Sequence, residues 1–366
     1  MSTSKLFTPL RVGQSTLSHR LTMAPMTRLR ASNTHTPLLP LVKDYYRQRA
    51  SVPGSLLITE ATVISPRHGG YTNVPGIYSE EQISAWKEVT NAVHEKGSHI
   101  YMQLWALGRT ANPGFIKEKG LDLVSSGDVP MKSMFSGEMH HPRPLAEREI
   151  TAAVGDYAAA AENAVKAGFD GVEIHGASGY LVDQFIQDTA NNRTDNWGGS
   201  IPNRSRFALD VTRAVVKAVG NDRTAIRLSP WSKFQDMRME DPIPQFSHLI
   251  ENLSDFKLAY LHLCESDAKA AGESLRPFID SYNKAGPVMV AANYTGETAV
   301  KAVEEEYKDN EVMVAFGRPY IANPDLAFRV REGVELAEVR QEGVYAQSEE
   351  GYTDYGFSEE FKAVYQ

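Results

Sequence analysis

The chain has 366 residues, enough for two domains at about 150 residues each or for one α/β barrel, which uses this length routinely. Its 42% hydrophobic and 23% charged residues, with 27 Gly and 19 Pro, exclude collagen-like, low-complexity and disordered classes. Lys and Arg number 38 against 46 Asp and Glu, a net charge of −8, so no global positive field exists to gather nucleic acid or an anionic membrane.

The opening stretch M-S-T-S-K-L-F-T-P-L lacks the hydrophobic region of roughly 7–15 residues that a secretory signal needs. Eight short apolar runs follow, at 20–26, 56–61, 99–104, 171–176, 224–229, 259–263, 288–292 and 312–317. They are near-continuous, not alternating, as strands of a parallel sheet buried on both faces are. Helical patterns lie between them. Ser79 with Gln82 makes a capping box, Ile83, Trp86, Val89 and Val93 keep helical spacing, and Gly97 stops the helix. Ile150, Val154, Tyr157, Ala158, Ala161 and Val165 form a second face ended by Gly168, and Thr295 can cap a third helix carrying Ala299, Val300 and Val303.

No apolar run approaches the roughly 18 residues of a membrane span. The single cysteine, Cys264, removes disulfide frameworks, cysteine zinc sites and thiolate-held iron–sulfur clusters. A soluble cytoplasmic protein is expected. Strand and helix alternate without a linker, so the expected architecture is one domain over 1–366, a single (β/α)8 TIM barrel. An open sheet divided into doubly wound halves is the alternative. Segment 108–145 is too long for a plain connection and reads as an excursion over the barrel mouth, with a small hairpin; 341–366 reads as an extension beyond the last barrel helix.

Barrel active sites lie at the C-terminal ends of the strands. The polar candidates there are Thr27, Glu60, Gln103, Trp105, His175, Tyr180, Arg227, His262, Asn293, Gly317 and Arg318. Gly317-Arg318 offers close backbone approach and a guanidinium fork for a phosphate, although a glycine there also has a purely steric reading. Arg227, inside an apolar strand, requires an anion or an electron-rich ligand; an ion pair with Glu60 or Glu173 is the alternative. His175 and Tyr180 lie five residues apart in H-G-A-S-G-Y, where one can hold a substrate oxygen while the phenol supplies a proton. No metal is expected, since none of the ten histidines falls in ligand spacing. A Schiff-base lysine is absent from all eight runs; Lys233 lies just past the fifth.

The set A-P-M-T-R-L-R at 24–30, L-I-T-E-A at 57–61, Q-L-W at 103–105, G-V-E-I-H-G-A-S-G-Y-L-V-D-Q-F at 171–185, W-G-G-S-I-P-N-R-S-R-F at 197–207, R-L-S-P at 227–230 and F-G-R-P-Y-I-A-N-P-D at 316–325 resembles the Old Yellow Enzyme family. Y-Y-R-Q-R-A-S-V-P-G at 45–54 and L-W-A-L-G-R at 104–109 are most similar to fungal members acting in ergot-alkaloid and related secondary metabolism. The resemblance implies FMN as cofactor, NADPH as hydride donor and reduction of an α,β-unsaturated carbonyl compound. It places Pro25, Met26, Thr27, Ala61, Gln103, His175, Arg227, Asn293, Gly317 and Arg318 around FMN, with Arg227 facing flavin N1. Tyr71, Trp105, Phe234 and Tyr345 would shape the substrate pocket. His175 would bind the carbonyl, Tyr180 would deliver the proton, and Ser178 stands where the family usually has Asn or His beside that His. Alanines replace frequent glycines at Ala61, Ala292 and Ala315. A tyrosine at 180 goes with net reduction in the ergot branch; redox-neutral isomerisation or cyclisation, or oxidative desaturation, is the alternative, and a non-catalytic flavin-binding protein a third. Loops 108–145 and 264–276 would decide substrate fit. A monomer or homodimer is expected.

Overall fold

Eight parallel strands close into a barrel: β1 (Leu21–Met23), β2 (Leu56–Ile58), β3 (His99–Trp105), β4 (Gly171–Gly176), β5 (Thr224–Leu228), β6 (Tyr260–Cys264), β7 (Val288–Ala291) and β8 (Val312–Phe316). Each pairs with the next and β8 pairs with β1, which excludes the open sheet. The structure, a computed structural model, describes residues 3–264 and 272–365; the expected pocket loop 264–276 falls mostly outside them. The helices that follow the strands include α1 (Leu41–Arg49), α2 (Glu80–His94), α3 (Glu147–Lys166), α4 (Ile201–Val219), α5 (Ile243–Ser254), α6 (Arg276–Ser281), α7 (Gly296–Lys301) and α8 (Leu326–Glu332). Among the described residues no helix is long and apolar enough to cross a membrane.

Side-chain alternation explains the near-continuous strands. In β5 and β6, Ile226, Leu228, Leu261 and Leu263 join the large core shared with the helices, while Ala225 and Tyr260 pack inside the barrel. The expected caps form: Ser79 Oγ accepts from Gln82 N–H at 3.2 Å while the Gln82 side chain accepts from Ser79 N–H at 3.1 Å, and Thr295 Oγ1 accepts from Thr298 N–H. The buried face of α3 differs from the expected one. It runs Ile150, Ala153, Tyr157, Ala160, Ala161 and Ala164, with Val154 on its edge. Alanine carries little hydrophobic signal, yet it permits close helix packing.

Both ends of the barrel are covered. A hairpin of Leu10–Val12 and Ser15–Leu17 plugs the N-terminal end with Leu10, Val12 and Leu17. Its turn needs Gly13, at φ +55°, because a Cβ there would stand 1.9 Å from the Asp222 carbonyl oxygen. The 108–145 excursion contains a hairpin, Met131–Lys132 against Met139–His140. The C-terminal extension is tied to the strand-end side by Arg28 and Arg30, which donate to the Val344 carbonyl at 3.1 and 2.6 Å. Tyr352 stacks on Tyr45 at 3.9 Å, with both guanidinium groups over its ring.

Candidate active site

Below the mouth lies a buried polar layer. Glu173 accepts from Gln103 Nε2 at 2.7 Å, from the Tyr260 hydroxyl at 3.0 Å and from His262 Nδ1 at 2.8 Å. Burial opposes ionisation of both partners, but their mutual attraction prevails: Glu173 is held below the usual carboxylate range and His262 above the usual imidazole value. Above this layer Arg227 donates its Nε to Cys264 Sγ at 3.0 Å. No other hydrogen bond joins its guanidinium to a described residue. Neither carboxylate considered from the sequence is its ion-pair partner. Glu60 instead accepts from Arg28 N–H at 3.1 Å, and Glu173 is occupied by its three donors.

One residue beyond the inward-facing Glu173, and then one more, β4 presents His175, paired in register with Arg227. Its Nδ1 accepts from Ala177 N–H at 3.4 Å, which assigns the proton to Nε2. Burial, then the charges of Arg227 and His262, push this imidazole well below its usual value, so it is a neutral donor. The chain then turns sharply. Ser178 has φ +58° and its N–H donates to Ser229 Oγ at 2.8 Å. Gly179 has φ +77°, and a Cβ there would lie 2.9 Å from Gln235 Cβ and Met237 Cγ. This turn brings the Tyr180 ring to 4.7 Å from the His175 ring and 5.0 Å from Trp105. Burial raises the Tyr180 phenol, so it stays protonated at neutral pH.

The edge-on rings continue outward from Trp105 to Tyr71 at 5.2 Å and from Tyr71 to Phe135 at 4.9 Å. Ala61 is buried in the same apolar cluster as Trp105, with Tyr71 and Tyr180 against it. Pro25, Met26 and Thr27 are half-buried just past β1, Asn293 and Arg318 are exposed just past β7 and β8, and Gly317 between β8 and Arg318 is half-buried. Phe234 and Tyr345 are 48% and 65% exposed at the rim; Tyr345 is near enough to act electrostatically on Tyr180.

Three contributors were not singled out from the sequence. Phe135 extends the ring series from the excursion hairpin. Gln235, at φ +60°, has both amide atoms buried beside Tyr180, where its side chain acts on the phenol and opposes the upward shift that burial causes. Gln184 ties the excursion to the turn: it accepts from Arg109 N–H at 3.1 Å and Ser125 Oγ at 2.9 Å, and donates to the Leu107 and Gly179 carbonyls at 2.9 and 2.7 Å. Only Gln235 carried a signal, its position next to Phe234.

An arginine whose terminal nitrogens have no hydrogen-bond partner among the described residues, a second arginine and an amide at the ends of β8 and β7, and a neutral donor beside a protonated phenol fit a flat, phosphate-bearing redox cofactor. They define a barrel oxidoreductase of the flavin-dependent class. The chain belongs to the NADH:flavin oxidoreductase / NADH oxidase family, whose model matches residues 5–337. It is 57% identical to chanoclavine-I aldehyde reductase fgaOx3 of Penicillium roqueforti, over 98% of each chain. It is 51% identical to a probable inactive reductase, easA, of Epichloe festucae var. lolii, over 99% of this chain and 97% of that one. Among solved structures, the old yellow enzyme homologue of Zymomonas mobilis superposes with a TM-score of 0.89 at 38% identity, covering 97% of this chain and all of the other. FMN is therefore the cofactor, with NAD(P)H as hydride donor.

Proposed function

We propose that this chain is a cytoplasmic, single-domain ene-reductase, a monomer or homodimer, that oxidises NADPH and reduces the C=C bond of an α,β-unsaturated carbonyl compound of fungal secondary metabolism. The name of the Penicillium relative, an aldehyde reductase, supports an aldehyde as the carbonyl of that substrate. FMN would be held by Pro25, Met26, Thr27, Ala61, Gln103, His175, Arg227, Asn293, Gly317 and Arg318, and would supply hydride to the β carbon. Gln103 is pre-oriented by its bond to Glu173.

The observation that carries the reading is the pairing of His175 and Tyr180, one neutral and one protonated, with rings 4.7 Å apart. His175 Nε2–H holds the substrate carbonyl oxygen and stabilises the charge that develops there; one such donor typically contributes about 2.7–4 kcal/mol. Tyr180 then gives its proton to the α carbon. Tyr71, Trp105, Phe234 and Tyr345 surround the substrate and exclude water, and Ser178 supplies a short hydroxyl next to His175.

Anaerobic stopped-flow measurements test this. NADPH should bleach the flavin band, an α,β-unsaturated aldehyde should restore it, and the product should be the saturated aldehyde. An alcohol product with the alkene intact, or turnover without nicotinamide consumption, would refute it.

A further inference from the structure

Cys264 ends β6 on the same inward face as His262, two residues earlier, and is 7% exposed. Its sulfur accepts a hydrogen bond from Arg227 Nε–H at 3.0 Å. A neutral thiol is a weak acceptor, whereas a thiolate is a strong one. His262 gives Nδ1 to Glu173, and its other ring nitrogen, Nε2, is buried and available to the Cys264 thiol, with which the imidazole interacts. On the neighbouring strands, β5 contributes Arg227, β4 contributes Glu173 acting through His262, and the β7 residue in register with Cys264 is Ala291, which brings no charge.

We propose that Cys264 is a thiolate that serves as the positioning residue for Arg227: it fixes the guanidinium through Nε, leaves the two terminal nitrogens for the cofactor, and shares the positive charge that flavin would otherwise receive alone. This rests on the reading in which Arg227 faces FMN. Although burial opposes ionisation, the charge of Arg227 and the adjacent His262 pull the thiol below its usual value. A buried carboxylate, imidazolium, thiolate and guanidinium then form an alternating series that is electrically balanced. Reduced flavin and the thiolate compete for one cation, so the sulfur keeps the flavin harder to reduce than Arg227 by itself would.

Two measurements test this without substrate. The chain has one cysteine, so alkylation of the FMN-stripped protein by iodoacetamide reports a single site and needs no variant. The rate should follow an apparent pKa below the free-cysteine value of about 8.5; a value at or above it overturns the proposal. In the FMN-loaded protein, Cys264→Ser and Cys264→Ala should both raise the flavin midpoint potential by about 30 mV, a tenfold shift in the two-electron equilibrium. An unchanged potential in either variant overturns the proposal, since a merely structural cysteine would alter melting and not potential. Arg227→Gln separates the two readings. If it lowers the potential while the cysteine variants do not move it, only the thiolate proposal fails; if it leaves the potential unchanged, Arg227 does not face the flavin.

Discussion

The lower and upper halves of the barrel interior are built from the same strands and behave oppositely. Below, Leu56, Ile58, Tyr101, Ala225, Tyr260, Met289 and Met313 pack around the plug residues Leu10, Val12 and Leu17 in one buried apolar cluster. Two residues further along β3, β5 and β6, the inward positions become Gln103, Arg227 and His262. The floor excludes water by burial alone. The upper layer is buried as well, with Glu173 and His262 at 0% exposure, and charged groups persist there only because each is matched by a partner. One strand period thus separates residues that stabilise from residues that prepare chemistry.

Breaking the upper half should cost rate and not fold. Tyr180→Phe keeps the ring that packs on Trp105 and His175 and removes only the proton. NADPH-driven flavin reduction should stay within about twofold, and the oxidative half-reaction with an α,β-unsaturated aldehyde should slow by about 10²–10⁴. Equal damage to both halves would show that the phenol is not the donor.

Breaking the floor should do the reverse. Leu17→Ala opens a cavity under the barrel at a fully buried position, and such truncations cost about 2–5 kcal/mol. Urea denaturation should register that loss while both flavin half-reactions of the folded protein stay unchanged. A slowed half-reaction would mean the two halves are mechanically coupled.

The same division governs what the sequence could reveal. The eight strands were legible because burial on both faces makes each a continuous apolar run, and His175, Tyr180 and Arg227 stood out as polar residues at those strands' ends. The floor hairpin was not legible: L-R-V and S-T-L are three residues each, buried only at alternate positions, too short for a period to declare itself. The bond from Arg227 to Cys264 depends on how β5 and β6 are registered, a tertiary fact; from spacing, a carboxylate was the natural partner for a buried arginine. Phe135 lay in a stretch expected as an excursion with a small hairpin, but its place in the ring series depends on how that excursion folds over the mouth.

Glu60 sharpens the comparison, because it is a strand-end carboxyl without the matched counter-charge of Glu173. Burial pushes it from 4.5 up to about 7, against the opposing pull of backbone N–H groups, Arg28 and Arg30. Its folded value lies above its unfolded one, so its contribution is complete at acidic pH. As pH rises past 4.5 the unfolded chain ionises first, and stability drains until the folded carboxyl also ionises near 7, a loss of up to about 3 kcal/mol. Glu60→Gln keeps an acceptor for Arg28 N–H and removes the titration. Denaturation at pH 5 and pH 8 should show the wild type losing more stability across that interval than the variant; parallel losses would show that Glu60 ionises normally in the fold.

The smallest effect tests the turn that joins the halves of the mouth. Ser178 occupies left-handed backbone at φ +58°, a conformation in which Asn is enriched and most other side chains are not. Ser178→Asn should therefore stabilise the fold by under about 1 kcal/mol, with the bond from its N–H to Ser229 retained. It also extends a donor toward the oxygen that His175 would hold, adding one hydrogen bond of about 1 kcal/mol. A substituted phenol, bound over oxidised flavin and followed by its long-wavelength charge-transfer band, should bind about fivefold tighter. Greater stability with unchanged phenol affinity would place the side chain out of reach of the ligand and leave recognition of the oxygen to His175 alone.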